Sequence, residues 1–274
     1  MPRSGYLVFL QLTVFGALSC GAALGQRPHS DIATGIFGEK DQRIQIASDR
    51  WPWSAIGRIN VLAGTGRQLC TGSVIAPRRV LTAAQCLFDA GINTWVKPGS
   101  VHFVLGQTGD KYVGHSVVES FLKSPEFAYR LEDRPRWDMI DPKMIKHNWA
   151  ILNLRDELPV KPIPLRAINN NSELPPETDG EIALAGYAYD REYVISLHRG
   201  CIAKVDVDSP GVITHKCDTI GESGAPILLL KNNEATIIGI HSSIVYDFQP
   251  QLGYMPLFAQ GVSISEAKTV LENK

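Results

Sequence analysis

Thr219-Ile220-Gly221-Glu222-Ser223-Gly224-Ala225-Pro226 runs directly into the apolar stretch Ile227-Leu228-Leu229-Leu230. Glycine on both sides of a serine lets the backbone turn sharply and leaves the hydroxyl exposed. The amides of Gly221 and Ser223 can then converge on a developing oxyanion. Alone, G-x-S-G also describes many ordinary glycine–serine turns, so its meaning depends on the surrounding chain.

Outward from this turn the chain reads as short β-rich runs broken by Gly, Pro and Asn. Ala55-Ile56-Gly57-Arg58-Ile59-Asn60-Val61 alternates as a half-buried strand does. Thr71–Ile75, Val101–Leu105, Glu181–Ala185, Val212–Thr214 and Ala235–Ile240 read in the same way. Many short strands with turn signals between them predict an all-β sandwich or barrel. Helix signals are few. Ala83 to Leu87 can form one turn, and Ser263 with Glu266 has capping-box spacing for a C-terminal helix over about 264–273. Residues 156–180, rich in Pro, Asn and Glu, read as a connector between two halves.

Two further segments give the serine turn its context. Cys70-Thr71-Gly72-Ser73-Val74-Ile75 leads into Val80-Leu81-Thr82-Ala83-Ala84-Gln85-Cys86, and His147-Asn148-Trp149-Ala150-Ile151-Leu152-Asn153-Leu154 follows. In this order and at these distances the chain resembles the trypsin-like serine proteases, especially their bacterial, glutamyl-endopeptidase-like branch. The resemblance runs from about Trp51 to about Gln260. It implies two six-stranded antiparallel β-barrels packed face to face, barrel one over about 51–160 and barrel two over about 165–262, with the active site in the cleft between them. It also implies that Ser223 stands at the nucleophile position and that Gly221 and Ser223 frame the oxyanion hole. The family's histidine position holds Gln85, and its aspartate position holds Asn148.

Both departures fall on proton handling. A serine hydroxyl is a weak nucleophile unless a neighbour takes its proton. Imidazole does so near neutral pH, whereas a carboxamide cannot. Oxyanion stabilisation and binding alone leave about 10³–10⁴ over water, too slow for a working protease. The two substitutions fit each other: without the imidazole an aspartate would be a semi-buried anion lacking its N–H partner. A neutral Gln85–Asn148 contact is therefore expected. His147 neighbours Asn148, but on an extended chain its side chain should point the other way. For the specificity pocket the resemblance offers Asp218, which suits a basic side chain, and His241, at the position where glutamyl-specific members bind a carboxylate.

The resulting expectation is a protease homologue that binds a peptide or protein in the cleft without cleaving it. Two alternatives stand beside it: an active endopeptidase using a non-standard base, and a structural exported β-protein with a closed cleft.

Length and composition agree with this reading. A chain of 274 residues with 44% hydrophobic and 20% charged residues suits a globular protein. A net charge of −1 with no basic stripe argues against nucleic acid. Residues 1–25 read as an export signal: Arg3, then an apolar run from Tyr6 to Leu18, then small residues. That run falls short of the ~20 residues needed to span a bilayer, so the expected location is secreted or periplasmic, with no membrane attachment after signal removal. Of five cysteines, Cys20 lies in this signal, leaving Cys70, Cys86, Cys201 and Cys217. Four cysteines allow three pairings; Cys70–Cys86 with Cys201–Cys217 would close two loops of equal span, each worth roughly 3 kcal/mol. No C-x-x-C spacing suggests zinc, and neither metal nor cofactor is expected. Residues 26–50 are polar without a clear period and read as an extended N-terminal arm.

Overall fold

Val101, Phe103 and Leu105 are buried while His102 and Val104 are only half so, the signature of a strand with one face on a core. The computed structural model describes residues 34–64, 66–128, 141–176, 178–249 and 253–272. The expected signal segment, the start of the arm and much of the charged loop after Tyr129 lie outside them.

In chain order, the arm contributes β1 (Thr34–Gly35) and β2 (Ile44–Ile46). The first half follows with β3 (Ile56–Ala63), β4 (Gly66–Ala76), β5 (Arg79–Thr82), a small hairpin of β6 (Phe88–Asp89) and β7 (Thr94–Trp95), β8 (Val101–Leu105), β9 (Gly114–Lys123) and β10 (Ala150–Leu154). Six of these close a barrel in the order β10-β5-β4-β3-β8-β9. Closure removes the exposed strand edges that an open sheet would carry. Its interior is filled by fully buried Ile59, Val74, Val80, Phe103 and Leu152, side chains each stabilising by about 1.5–3 kcal/mol.

The second half comprises β11 (Glu181–Gly186), β12 (Ile195–Arg199), β13 (Ala203–Val205), β14 (Val212–His215), β15 (Thr219–Ile220), β16 (Pro226–Lys231), β17 (Glu234–Gln249), β18 (Gly253–Ser263) and helix α1 (Ser265–Glu272). Here the ladder takes the form of an eight-stranded antiparallel sheet, β13-β14-β18-β17-β16-β11-β12-β2, whose end strands do not pair with each other. One reason is the arm: β2 adds to the free edge of β12, with Ile195 opposite Ile46. The core of this half is built from Ile182, Leu184, Ile213, Ile227, Leu229 and Ile238.

The arm is thus part of the fold. β1 pairs with β15 just before the serine turn. Arg43 is 5% exposed, and its guanidinium donates to both oxygens of Asp41 and both oxygens of Asp190, at 2.9–3.1 Å. Although burial disfavours its charge, these two carboxylates hold Arg43 well above the usual arginine range.

The disulfides are Cys70–Cys86 and Cys201–Cys217. At the C-terminus the helix forms, but the expected capping box does not. Glu266 accepts instead from the buried Trp149 indole at 3.0 Å and from Ser124 Oγ at 3.0 Å. A buried N–H requires a partner more than a solvated helix end does. Among the described residues no helix is long and apolar enough to cross a membrane.

Candidate functional site

Gln85 sits on a short 3₁₀ turn, Ala84–Leu87, that follows β5 and is tied to β4 through Cys86. Asn148 ends a second 3₁₀ turn, Pro142–His147. Ser223 lies on the turn between β15 and β16, where Gly221 and Gly224 have φ of +68° and +81°. Glycine is required twice here. A Cβ on Gly224 would stand 2.4 Å from the Thr71 carbonyl oxygen, and one on Gly221 would stand 1.9 Å from the Tyr189 ring. The serine turn is joined to barrel one by Thr71 N–H, which donates to the Ser223 carbonyl at 2.9 Å.

These elements bring three side chains together. Asn148 is fully buried. Its Oδ1 accepts from the Gln85 backbone N–H at 2.9 Å, and its Nδ2 donates to Gln85 Oε1 at 2.5 Å and to Ser242 Oγ at 2.7 Å. Gln85 Nε2 donates to Ser223 Oγ at 2.8 Å and to the Ser242 carbonyl at 3.2 Å.

The direction of every bond follows from one fixed donor. A backbone N–H can only donate, so Asn148 must turn its oxygen to Gln85 N and its nitrogen to the Gln85 side chain. Gln85 must then offer its oxygen to Asn148 and its nitrogen to Ser223. The Ser242 carbonyl, a pure acceptor, enforces the same orientation. Ser223 Oγ therefore accepts a hydrogen bond from residue 85. The opposite polarity, donation by the hydroxyl to a basic nitrogen, is what activation of a serine requires.

Among the described residues no histidine is hydrogen-bonded to Ser223 Oγ, whose partner is Gln85. His147 Nδ1 lies 3.3 Å from Glu266 Oε2 and 3.4 Å from Ser124 Oγ. His241 is 2% exposed, and its Nδ1 is 3.2 Å from Nε2 of the buried His215. Burial pushes His241 down to about 4 and holds His215 well below the ordinary histidine value, with the neighbouring rings adding to the effect on His215. Both imidazoles are neutral at neutral pH.

Asp218, expected on the pocket wall, lies against the N-terminal arm. It is 2% exposed, and its two oxygens accept from the arm backbone, Oδ1 from Phe37 N at 2.9 Å and Oδ2 from Gln42 N at 2.8 Å. Its own N–H donates to His198 Nδ1 at 2.8 Å. Both oxygens of the carboxylate thus anchor the arm.

Glu222 was not singled out in the sequence. It is 1% exposed, and neither carboxylate oxygen has a hydrogen-bond partner among the described residues. Burial pushes its carboxyl up to about 7, against the opposing pull of the Thr219 and Ser196 hydroxyls and the Arg43 charge. Ser242, which shares the amide network, was missed as well. Its orientation depends on an irregularity in β17 between His241 and Ser243, and no sequence spacing announces it.

A barrel of this topology, joined to a glycine-flanked serine turn and a 3₁₀ turn closed by a disulfide, defines the trypsin type of serine protease fold. The sequence model of the trypsin family matches residues 44–267, and the chain belongs to that family. Among solved structures, it is similar to a Glu endopeptidase, with TM-score 0.60 and 19% identity over 86% of this chain and 96% of that one. The Vibrio cholerae VesB protease matches with TM-score 0.58 and 17% identity over 84% of this chain and 66% of that one. A scabies mite inactivated protease paralogue matches with TM-score 0.56 and 18% identity, over 86% of this chain and the whole of that one.

Proposed function

We propose that this chain is an exported trypsin-family protein that binds a peptide or protein segment in its cleft and does not cleave it. The observation that carries the reading is the 2.8 Å hydrogen bond from Gln85 Nε2 to Ser223 Oγ. It supplies a proton to the oxygen that would have to lose one, and residue 85 has no basic lone pair in exchange. The two disulfides suit an oxidising compartment, which supports export. A trypsin fold without proteolytic competence has a parallel in the inactivated scabies mite paralogue.

With Asp218 committed to the arm, His241 is the remaining pocket candidate. A neutral imidazole offers one hydrogen-bond donor and one acceptor and brings no charge of its own to the pocket. Two measurements on the full chain test the reading. A fluorophosphonate probe should leave Ser223 unlabelled, and panning a random peptide library should return binders that are lost when Ser223→Trp fills the site. Robust labelling of Ser223 would overturn the inactivity, and binders indifferent to Ser223→Trp would overturn the cleft as the binding surface.

A further inference from the structure

The segment Tyr189–Tyr193 passes beside the serine turn and reaches barrel one. At its near end Tyr189 N–H donates to the Ile220 carbonyl at 3.0 Å, and the Tyr189 ring packs on Gly221. At its far end Tyr193 O accepts from Gly109 N at 2.7 Å. Between them stand two arginines of barrel one. Arg67 Nη2 contacts Glu192 Oε2 at 2.9 Å, and Arg58 Nη1 donates to the Glu192 carbonyl at 3.1 Å while its guanidinium lies 4.7 Å above the Tyr193 ring. The cluster borders the site: Gln68, next to Arg67, donates through Nε2 to the Gln85 carbonyl at 3.3 Å.

Three features of this cluster mark it as an acceptor for an anion. First, the Glu192 carboxylate pairs with Arg67, while Arg58 meets only the Glu192 main-chain carbonyl and the Tyr193 ring, so the two guanidiniums share one carboxylate between them. Second, Arg58 is 7% exposed, and its Nε is buried with no hydrogen-bond partner among the described residues, an arrangement that costs free energy unless something completes it. Third, the charges act on each other and on Tyr193. Burial first, and the nearby Arg67 second, hold Arg58 below the usual arginine range, and both arginines draw the Tyr193 phenol down. Arg67 and Tyr193 remain open to solvent, at 42% and 48% exposure, so a ligand can reach them. The Glu192 carboxylate on Arg67 shows the pairing the site accepts, since the planar guanidinium fork matches a carboxylate.

We propose that Arg67, Tyr193 and the underlying Arg58 form a subsite for an acidic side chain of the bound peptide, on the Gly221–Tyr189 side of Ser223. Arg67 and the Tyr193 hydroxyl take the carboxylate, and Arg58 supplies the second positive charge from below. Glu192 holds the place in the free chain and shares Arg67 with the incoming group. The assignment rests on the reading that the cleft binds peptide.

Random dodecapeptides panned on the immobilised full chain supply the probe, followed by anisotropy measurements on one labelled binder. The binder should carry a Glu or Asp whose change to Gln or Asn weakens binding roughly tenfold, in the range of charge-assisted hydrogen bonds. Arg67→Ala should cost a similar factor, and combining the two changes should cost little more than either alone. Arg67→Glu should reverse the preference, so that the Lys-substituted peptide binds better than the acidic one. Peptides that need an open Ser223 site but are indifferent to Arg67 and to their own acidic residues would overturn the subsite and leave cleft binding standing. Failure to enrich any cleft-dependent peptide would overturn both.

Discussion

Gln85 Nε2 donates to Ser223 Oγ across 2.8 Å, and this bond is the last in a chain that starts at a main-chain N–H. The Gln85 amide proton fixes Asn148, Asn148 fixes the Gln85 side chain, and that side chain fixes what Ser223 receives. All four side-chain amide protons of the pair find acceptors, counting Ser242 Oγ and the Ser242 carbonyl. The arrangement is satisfied and carries no formal charge, so burying it avoids the desolvation cost of an ion pair.

If only proton handling separates this chain from a protease, restoring both groups should restore chemistry. Gln85→His with Asn148→Asp should give measurable hydrolysis of an activated ester and of a fluorogenic peptide. Gln85→His alone should be slower by orders of magnitude, since loss of the aspartate in the serine-protease triad costs about 10⁴ in turnover. Equal rates for the single and double variants would contradict the orienting part assigned to residue 148.

Asn148→Asp alone should harm the protein without helping it. The carboxylate can still accept from Gln85 N–H but can no longer donate to Gln85 Oε1 or Ser242 Oγ. Gln85 would have to turn its oxygen toward the Ser242 carbonyl, an acceptor facing an acceptor. Denaturant melts should show a loss of about 1–3 kcal/mol, with no gain in hydrolysis. An unchanged midpoint would mean that the network tolerates either polarity.

Gly224→Ala places a methyl 2.4 Å from the Thr71 carbonyl oxygen on a backbone with φ of +81°. Because the obstacle is main chain, relief requires moving the serine turn off barrel one. A loss of at least ~2 kcal/mol is expected from strain alone, together with loss of peptide binding. Thermal unfolding checks the first and anisotropy the second; a stable variant with intact binding would count against the close approach.

Glu222 should leave a mark on the pH dependence of stability. Its carboxyl titrates at about 7 in the folded chain against an ordinary value of 4.5. Between those two values the folded state holds a proton that the unfolded chain has released. Stability from this group therefore falls as pH rises through the window and levels off above 7. At ~1.4 kcal/mol per pH unit the cost is at most about 3 kcal/mol. Glu222→Gln should match the parent near pH 4.5 and melt several degrees higher at pH 8. A difference in Tm that stays constant with pH would show that Glu222 ionises freely.

Much of this architecture can be read from residue order. The alternation in Val101–Leu105, the glycines around Ser223 and the positions of Gln85 and Asn148 rest on local patterns that folding preserves. The arm was less legible. Strands of two or three residues, such as Thr34–Gly35 and Ile44–Ile46, are too short to show a period. Asp218 binds main-chain N–H groups, which every residue but proline carries, so no partner could be picked out by type. Glu266 misled for a related reason: its spacing from Ser263 suits a helix cap, yet the indole of Trp149, distant in sequence, had the stronger need. Glu222 lay unnoticed between two glycines because nothing local tells which side of a tight turn faces inward.

The arm strand on β12 and the two main-chain bonds to Asp218 give residues 34–46 a place inside the second half of the molecule. A proteolytic cut that released them would withdraw the Arg43 guanidinium from beside Glu222 and leave the Asp218 carboxylate facing an empty groove. Glu222, on the serine turn, and Asp218, just before it, would then both lose partners supplied by the arm. This short N-terminal stretch, remote from Ser223 in sequence, thus braces the strand that leads into the serine loop.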